Sequence, residues 1–342
     1  METRRLARTA VMLGFILAVV GLMAWSIIAK LTITPQATAE DLRALPLWLI
    51  PFHYLWDYAQ HGWLCLGFAF IVSGLFQEFI PPDVMIRYMG SGDWRAYVFA
   101  TVLAPVFCVC SCTMVPIFAG LVYAGSGIGP ALTFLLVAPA NNLLADIITV
   151  QVMGWPIALA DMVAGAVSAI AIGYLVSKTR HGREFEERFK GRKQTSASID
   201  LVEEPLDDRL WNALKFGGFL AKQIIPSFVL GLVLVSYFQA YFPEDLVRTW
   251  LTGPTGVVVA ALLGGPLYTP TLIEVVLGKA LMDLGMTPAA TVAWLMGQPY
   301  DIPNSLSASK VVGWRIVITY GVLAFVSAVL SGLIYGAVTG GF

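Results

Sequence analysis

Nine apolar runs, each longer than 20 residues and several interrupted by proline, dominate this chain; they fall at about 9–33, 56–80, 96–123, 129–152, 155–177, 216–242, 255–282, 287–309 and 314–338. The hydrocarbon core of a bilayer is about 30 Å thick and takes roughly 20 apolar residues to cross as a helix. No water reaches the backbone there, so helix-breaking prolines and polar side chains persist only where protein or a water-filled cavity surrounds them. The expected fold class is an all-α polytopic membrane protein. Composition agrees: 58% of the 342 residues are hydrophobic and 13% charged, with a mean hydropathy of +0.76, against about 25% charge in a soluble domain. The net charge of -1 carries little weight, because the sign of charge in each loop is what orients a membrane chain. The lipid bilayer is the expected partner, and nucleic acid is not.

The stretch Ala104–Asn142 concentrates the unusual residues. Three of the four cysteines, Cys108, Cys110 and Cys112, occupy every second position between Pro105 and Pro116, and a glycine turn and Pro139-Ala-Asn141-Asn142 follow. Four cysteines used this way do not make the spaced framework of a secreted disulfide scaffold. On a helix Cys108 and Cys112 share a face and Cys110 points away, whereas on extended or unwound backbone all three side chains project to one side. Thiols are soft ligands that prefer soft cations and thiophilic centres. The alternative is that these cysteines are small apolar fillers of a close-packed helix interface, which is also the expectation for the isolated Cys65.

The chain repeats itself. Phe76-Gln77 and Pro81-x-Asp83 recur as Phe238-Gln239 and Pro243-x-Asp245, Pro105 as Pro266, Gly125, Leu135 and Pro139 as Gly285, Leu295 and Pro299, and Gly154-Trp155 as Gly313-Trp314. The offset drifts only from 162 to 159, so one ordered alignment explains every pair. The expected organisation is an extra N-terminal span and connection (1–55), a first transmembrane repeat (56–177), a charged cytoplasmic linker (178–215) and a second repeat (216–342). The linker holds nine of the 21 Lys and Arg residues and eight of the 22 Asp and Glu residues, a composition expected to be solvated and partly disordered.

Parity gives the orientation. Arg4, Arg5 and Arg8 put the N-terminus in the cytoplasm, and the basic linker belongs on the same side. Five apolar runs precede the linker, so one of them is not a simple crossing; the runs bearing Pro105, Pro116 and Pro139 are the candidates for a re-entrant or broken helix. Each repeat then makes an odd number of net crossings, and the two repeats are inverted. Inverted repeats with broken helices are a common plan for secondary transporters.

Polar residues within the apolar runs are costly and mark candidate function. Asn141 and Asn142 after Pro139 correspond to Asp301 and Asn304 after Pro299, as if two broken tips met near the midplane; equally, such residues cap freed backbone groups. Among the ionisable residues His61, Glu78, Asp146, Asp161, Glu274, Lys279, Asp283 and Asp301, Glu274 and Asp301 lie nearest the second-half counterpart of the cysteine segment and are ranked first for proton coupling. Lys279 and Asp283, spaced i, i+4, are at least as well explained as a structural ion pair.

The sequence Pro105-x-x-Cys108-x-Cys110-Ser111-Cys112, followed by a proline, a glycine turn, an apolar run and a proline with amide residues, resembles the predicted-permease family that includes the ArsP organoarsenical efflux permeases. The resemblance covers about 60–340, and Cys110-Ser111-Cys112 is its most specific part. It implies that Cys110 and Cys112, with Cys108 in addition, engage a trivalent organoarsenical or a soft metal or metalloid species. The cysteines are metal ligands only in that last case. The chain departs from the pattern in having Ala138-Pro139-Ala140-Asn141-Asn142 in place of a Thr/Ser-Pro-Glu-Thr type of motif, and in lacking cysteine in its second half.

The expected function is a secondary-active, proton-coupled permease of the inner cell membrane that exports a thiophilic small solute through Cys108, Cys110, Cys112, Asn141, Asn142 and Asn304. No cofactor is expected, and a homo-oligomer is compatible with the sequence. No Gly-x-x-x-x-Gly-Lys-Ser/Thr phosphate loop occurs, so ATP-driven transport would need a partner to supply the motor. Two alternatives use the same residues: uptake of a sulfur compound such as thiosulfate, and a membrane thiol oxidoreductase or sulfur relay, though the Cys-x-x-Cys pair of the latter is missing.

Overall fold

The computed structural model describes Gly14, Leu17, Gly21 and residues 45–79, 87–90, 92–107, 114–141, 143–196, 206–241, 250–265 and 271–342. All regular structure among them is helical. Four helices have the length to cross a bilayer at about 1.5 Å per residue: α1 (Ile50–Phe79), α6 (Trp155–Lys178), α8 (Leu206–Tyr241) and α13 (Trp314–Thr339). The shorter helices are α2 (Trp94–Phe107), α3 (Met114–Ala124), α4 (Ile128–Ala140), α5 (Leu143–Met153), α7 (Arg180–Ser196), α9 (Gly253–Gly264), α10 (Thr271–Asp283), α11 (Pro288–Leu295) and α12 (Ile302–Val312), with a 3₁₀ turn at Gln298–Tyr300. Over most of their length α6 and α13 are apolar on every side, as expected where lipid solvates one face and protein the other. On α6 the exposed stripe is Leu159, Val163 and Val167, and on α13 it is Ile318, Val322 and Val326, each at i, i+4, i+8.

The run at 96–123 does not cross. α2 has 14 residues and α3 has 11, roughly 21 and 17 Å of helix. Their outer ends are tied together: the Gly127 N–H donates to the Met89 carbonyl at 2.7 Å, and the Ser126 hydroxyl donates to the same oxygen at 3.3 Å. Met89 precedes α2 and Gly127 follows α3, so the chain enters and leaves on one side as a re-entrant hairpin. The second half repeats the device. The Thr287 N–H donates to the Leu251 carbonyl at 3.2 Å, closing the outer ends of α9 and α10. The run at 129–152 is a broken span instead, with α4 and the following helix bent by 42°, and α11, the 3₁₀ turn and α12 form its counterpart.

The repeats are inverted. α6 and α13 cross where the Ser327 hydroxyl donates to Ser168 Oγ. These serines are equivalents at an offset of 159, and equivalent residues touch each other only on a two-fold axis. Ala169, Ile172 and Val176, from the C-terminal half of α6, share a core with Ile316, Val317 and Tyr320 from the N-terminal half of α13. Ile157, at the start of α6, shares the other core with Leu251, Met286 and Ala328. The crossing is therefore antiparallel. The closed end of the first hairpin lies at one face of the protein, and that of the second hairpin lies at the other, beside the Gly341 carbonyl that accepts from the Ala289 N–H at 3.2 Å.

Backbone details obey the same symmetry. Gly125 and Gly285 hold φ of +106° and +111°, and Gly154 and Gly313 hold +91° and +83°, a region that glycine occupies without Cβ strain. Gly173 packs directly on Thr133 and Gly129, as Gly332 does on Ala293 and Ala289. Small residues at such contacts let helices approach closely where no hydrophobic effect drives them together.

The first part of the charged segment is helical. α7 takes up 17 residues of it, because Phe185 packs on the first core and Glu186 Oε1 accepts the Ile128 N–H at 3.1 Å at the start of α4, where a carboxylate meets the positive end of a helix. α8 starts at Leu206, earlier than its apolar run, with Arg209 Nη2 donating to the Glu78 carbonyl at 2.8 Å. Apart from Gly14, Leu17 and Gly21, the first apolar run lies outside the described residues. With each repeat making three net crossings, single cysteines introduced at position 195 of α7 and at Gly341 are expected to react with an impermeant maleimide from opposite faces of the membrane. Labelling from the same face would contradict the inverted arrangement.

Candidate functional site

α4 and α11 break beside the two-fold axis, where Ala140 and Pro299 line one cavity. In the second half, α9 ends against the break between α11 and α12: the Tyr300 hydroxyl donates to the Ala261 carbonyl at 2.5 Å, and a Cβ on Gly264 would run into the Trp294 carbonyl. Asp301 caps α12, its Oδ1 accepting the Asn304 N–H at 2.7 Å and its Oδ2 accepting Asn304 Nδ2 at 2.6 Å. A short acceptor side chain in this place satisfies a free N–H and sets negative charge against the positive end of the helix. In the first half, α4 stops at Asn141, whose N–H returns to the Val137 carbonyl at 2.8 Å and whose Nδ2 donates to the Met162 carbonyl of α6 at 3.0 Å. Asn141 Oδ1 lies against Gly165.

A cavity of about 10 Å³, room for at most one water, lies on the axis between Leu136, Gly165 and Ser168 and their repeat equivalents Met296, Ala324 and Ser327. Polar groups around it are symmetric in place and different in kind. Asn141 corresponds to Asp301, and Asp161 of α6 corresponds to Tyr320 of α13, which hydrogen-bonds Ser305. The first half thus puts an amide at its broken tip and an acid on its long helix. The second half puts the acid at the tip and a phenol on the long helix.

Three carboxyl side chains here are almost wholly enclosed: Asp161 is 7% exposed, Glu274 is 5% and Asp301 is 2%. Glu274, in the first turn of α10, lies within electrostatic reach of Asp161, Asp301 and Asp146. Among the described residues no Lys, Arg or His pairs with any of these acids. Among the described residues, the oxygens Asp161 Oδ1, Asn141 Oδ1 and Asn304 Oδ1 are buried without a donor, and Trp294 Nε1 is buried without an acceptor. An arrangement of this kind suits a positively charged or proton-bearing species.

Of the residues singled out in the sequence, Asn141, Asn304, Glu274 and Asp301 are brought to this central region. Cys108, Cys110, Cys112 and Asn142 lie outside the described residues; the cysteines belong to the segment that links the inner ends of α2 and α3. Lys279 and Asp283 form an ion pair, partly buried at Lys279 and exposed at Asp283. No group of three His, Cys, Asp or Glu among the described residues is gathered closely enough to hold a metal ion. Sequence reasoning passed over Ser168, Ser327 and Tyr320, although extending the offset of 159 from Gly154 and Gly313 to every serine would have picked out the first two.

The sequence matches a family described as predicted permease over residues 52–337. It is 27% identical to the UPF0718 protein MJ0584 of Methanocaldococcus jannaschii, covering 80% of this chain and 92% of that protein. It is 25% identical to the UPF0718 protein YraQ of Escherichia coli, covering 83% and 80%. It is also 21% identical to a Streptococcus mutans protein whose name provisionally makes it a subunit of a two-component membrane permease complex, covering 73% and 83%. No solved structure matches.

Because Asp301 both caps α12 and buries a carboxyl, its two roles separate by substitution. Asp301→Ala is expected to lower stability by about 1–2 kcal/mol through the lost cap. Asp301→Asn keeps a capping oxygen without the charge and is expected to unfold no earlier than the parent. Thermal unfolding in detergent micelles compares them, and an alanine variant as stable as the asparagine variant would refute the capping account.

Proposed function

The chain belongs to the predicted-permease family that it matches over residues 52–337, and from that membership we propose that it is a secondary-active permease exporting a thiophilic small solute, of the trivalent organoarsenical or soft metalloid class, in exchange for protons. The observation that carries the proposal is the re-entrant hairpin of α2 and α3, with its closed outer end at Met89 and Gly127. Its inner ends are joined by the segment bearing Cys108, Cys110 and Cys112. Half-helices that stop at membrane depth are how inverted-repeat transporters present binding groups near the midplane. The cysteines recognise the solute, and Asn141, Asn142 and Asn304 complete the pocket. The N-terminus is cytoplasmic in the inner membrane, since Arg87, Arg95, Arg315 and the basic residues of α7 all fall at the face that holds the first hairpin's outer end.

Coupling is assigned to Glu274 or Asp301. Burying an ionised carboxylate without a cation costs several kcal/mol, so one of them holds a proton in the solute-free protein and yields it when the solute arrives. Asp301→Asn and Glu274→Gln are each expected to abolish transport driven by a proton gradient while sparing equilibrium exchange of solute in proteoliposomes. Retention of full pH dependence by both would move the proton elsewhere.

Each cysteine that bonds trivalent methylarsenite attacks as the thiolate and displaces one As–OH, which leaves as water with the thiol's proton, so binding through two cysteines releases two waters and no net proton. Cys110→Ser and Cys112→Ser are expected to lower uptake of trivalent methylarsenite into inverted vesicles by at least tenfold with no loss of expression, and Cys65→Ser to leave it unchanged. A Cys108/Cys110/Cys112 triple serine variant that transports like the parent would make the cysteines packing residues. A parent that accumulates thiosulfate in right-side-out vesicles and leaves methylarsenite untransported would favour sulfur uptake over export.

A further inference from the structure

We infer that the protein stands in one of two symmetric arrangements: α1 closes here on α3 and α8 on α12, and in the other arrangement α8 closes on α10 and α1 on α5. The purpose of such an exchange rests on the permease reading above; the contacts that carry it do not. α1 and α8 run antiparallel as one unit, with Gly74 packed on the Ala213 carbonyl and Gly217 on that of Phe70. Toward the face of the first hairpin's outer end this unit is sealed to the rest. One core joins Ala69 and Phe70 of α1, and Leu220 and Ile224 of α8, to α3, α4, α6, α12 and α13. Gly120 of α3 sits directly against Ser73 of α1, Gly231 of α8 sits against Pro303 of α12, and Gln223 Nε2 donates to the Lys310 carbonyl at 2.5 Å. Toward the opposite face the core is divided. The cluster built from α6, α9, α10, α11 and α13 includes no described residue of α1 or α8, whose far halves cluster separately around Phe228, Leu232 and Val235 and around Ile50 and Ala240.

The two-fold relation says what the divided side lacks. At the offset of 160 set by Gly125 and Gly285, Gly120 corresponds to Ala280 and Pro116 to Val276; at the offset of 162 set by Phe76 and Phe238, Ser73 corresponds to Val235. Gly120 and Pro116 are buried, whereas Ala280 is exposed and Val276 is 55% exposed. α3 and α12 pack on each other and on the α1–α8 unit. Their equivalents α10 and α5 also pack on each other, but among the described residues they make no comparable contact with that unit. The uncovered face of α10 is therefore the surface that takes α8, by the geometry with which α3 takes α1, and Ala280 is small enough for the close approach that such a contact needs. Inverted repeats permit the exchange because each half can adopt the packing of the other. The arrangement described is closed toward the face of the first hairpin and parted toward the other; the exchange reverses both, which turns a bound solute from one face to the other.

The test is the rate at which single introduced cysteines react with a water-soluble maleimide in the full-length protein in nanodiscs, without solute, read at each position by peptide mass. Ala280→Cys reports the parted side. Ser307→Cys reports the sealed side, since Ser307 is fully buried and lies one turn from Pro303 on the face of α12 that meets α8. Ala280→Cys is expected to react faster than Ser307→Cys by on the order of tenfold or more. Gly120→Val and Gly231→Val each wedge the sealed side apart, and each is expected to slow Ala280→Cys and speed Ser307→Cys by on the order of tenfold, as overpacking one closed contact favours the other. A wedge that merely unfolds the protein would speed both positions, and a second measurement then decides: mild oxidation of a Val235→Cys/Ala280→Cys pair, with no wedge present, is expected to yield a 235–280 disulfide. The Cys108/Cys110/Cys112 triple serine variant is expected to show the same two reactivities, so failure of the thiol site and failure of the exchange are distinguishable. Equal reactivity of Ala280→Cys and Ser307→Cys without a wedge, folded wedge variants that leave Ala280→Cys as reactive as before, or no 235–280 disulfide overturns the inference.

Discussion

In hydrocarbon every backbone N–H and C=O must find its partner inside the protein, at a cost of several kcal/mol for each one left open. This fold breaks its helices at membrane depth and depends throughout on how those breaks are satisfied. Asp301 takes the free N–H of Asn304, Asn141 returns its own N–H to Val137 and lends its amide to the Met162 carbonyl, and Tyr300 takes the Ala261 carbonyl. Each of these polar residues is required by the local geometry before any role in transport is considered. A broken helix is thereby sealed with groups that can also bind.

The two-fold relation multiplies this arrangement and then modifies it. Paired glycines at Gly125 and Gly285, and at Gly154 and Gly313, turn the chain identically in both halves, and Ser168 meets Ser327 on the axis. Against that common frame the polar groups differ: Asn141 corresponds to Asp301, Asp161 corresponds to Tyr320, and the cysteines of the first half have Thr269, Thr271 and Ile273 as counterparts at the offset of 161 set by Pro105 and Pro266. Equivalent places with unequal chemistry make the halves mechanically alike and electrostatically distinct. Each half carries its acid in a different place, Asp161 on the long helix of the first and Asp301 at the broken tip of the second.

The fold class and the repeat were legible in the sequence because both are written in local, additive properties. Apolar length decides whether a segment enters lipid, and prolines, glycines and tryptophans mark its ends wherever the structure lies. Charge parity led to the inversion for the same reason. Asp301 and Asn304 were legible because they follow Pro299, at a position where a helix cannot continue unaided.

Other features were decided by tertiary structure. That the run bearing Pro105 doubles back while the run bearing Pro139 bends and continues depends on hydrogen bonds between Met89 and Gly127, 38 residues apart; proline content alone allows either outcome. The charged segment became α7 because Phe185 and Glu186 found a groove and a helix end on a distant part of the chain. The meeting of Ser168 with Ser327, 159 positions apart, follows from the crossing of α6 and α13. A sequence declares which groups are costly to bury, since that cost belongs to each side chain, but which groups share the cost is a property of three-dimensional proximity and arises only when the helices pack.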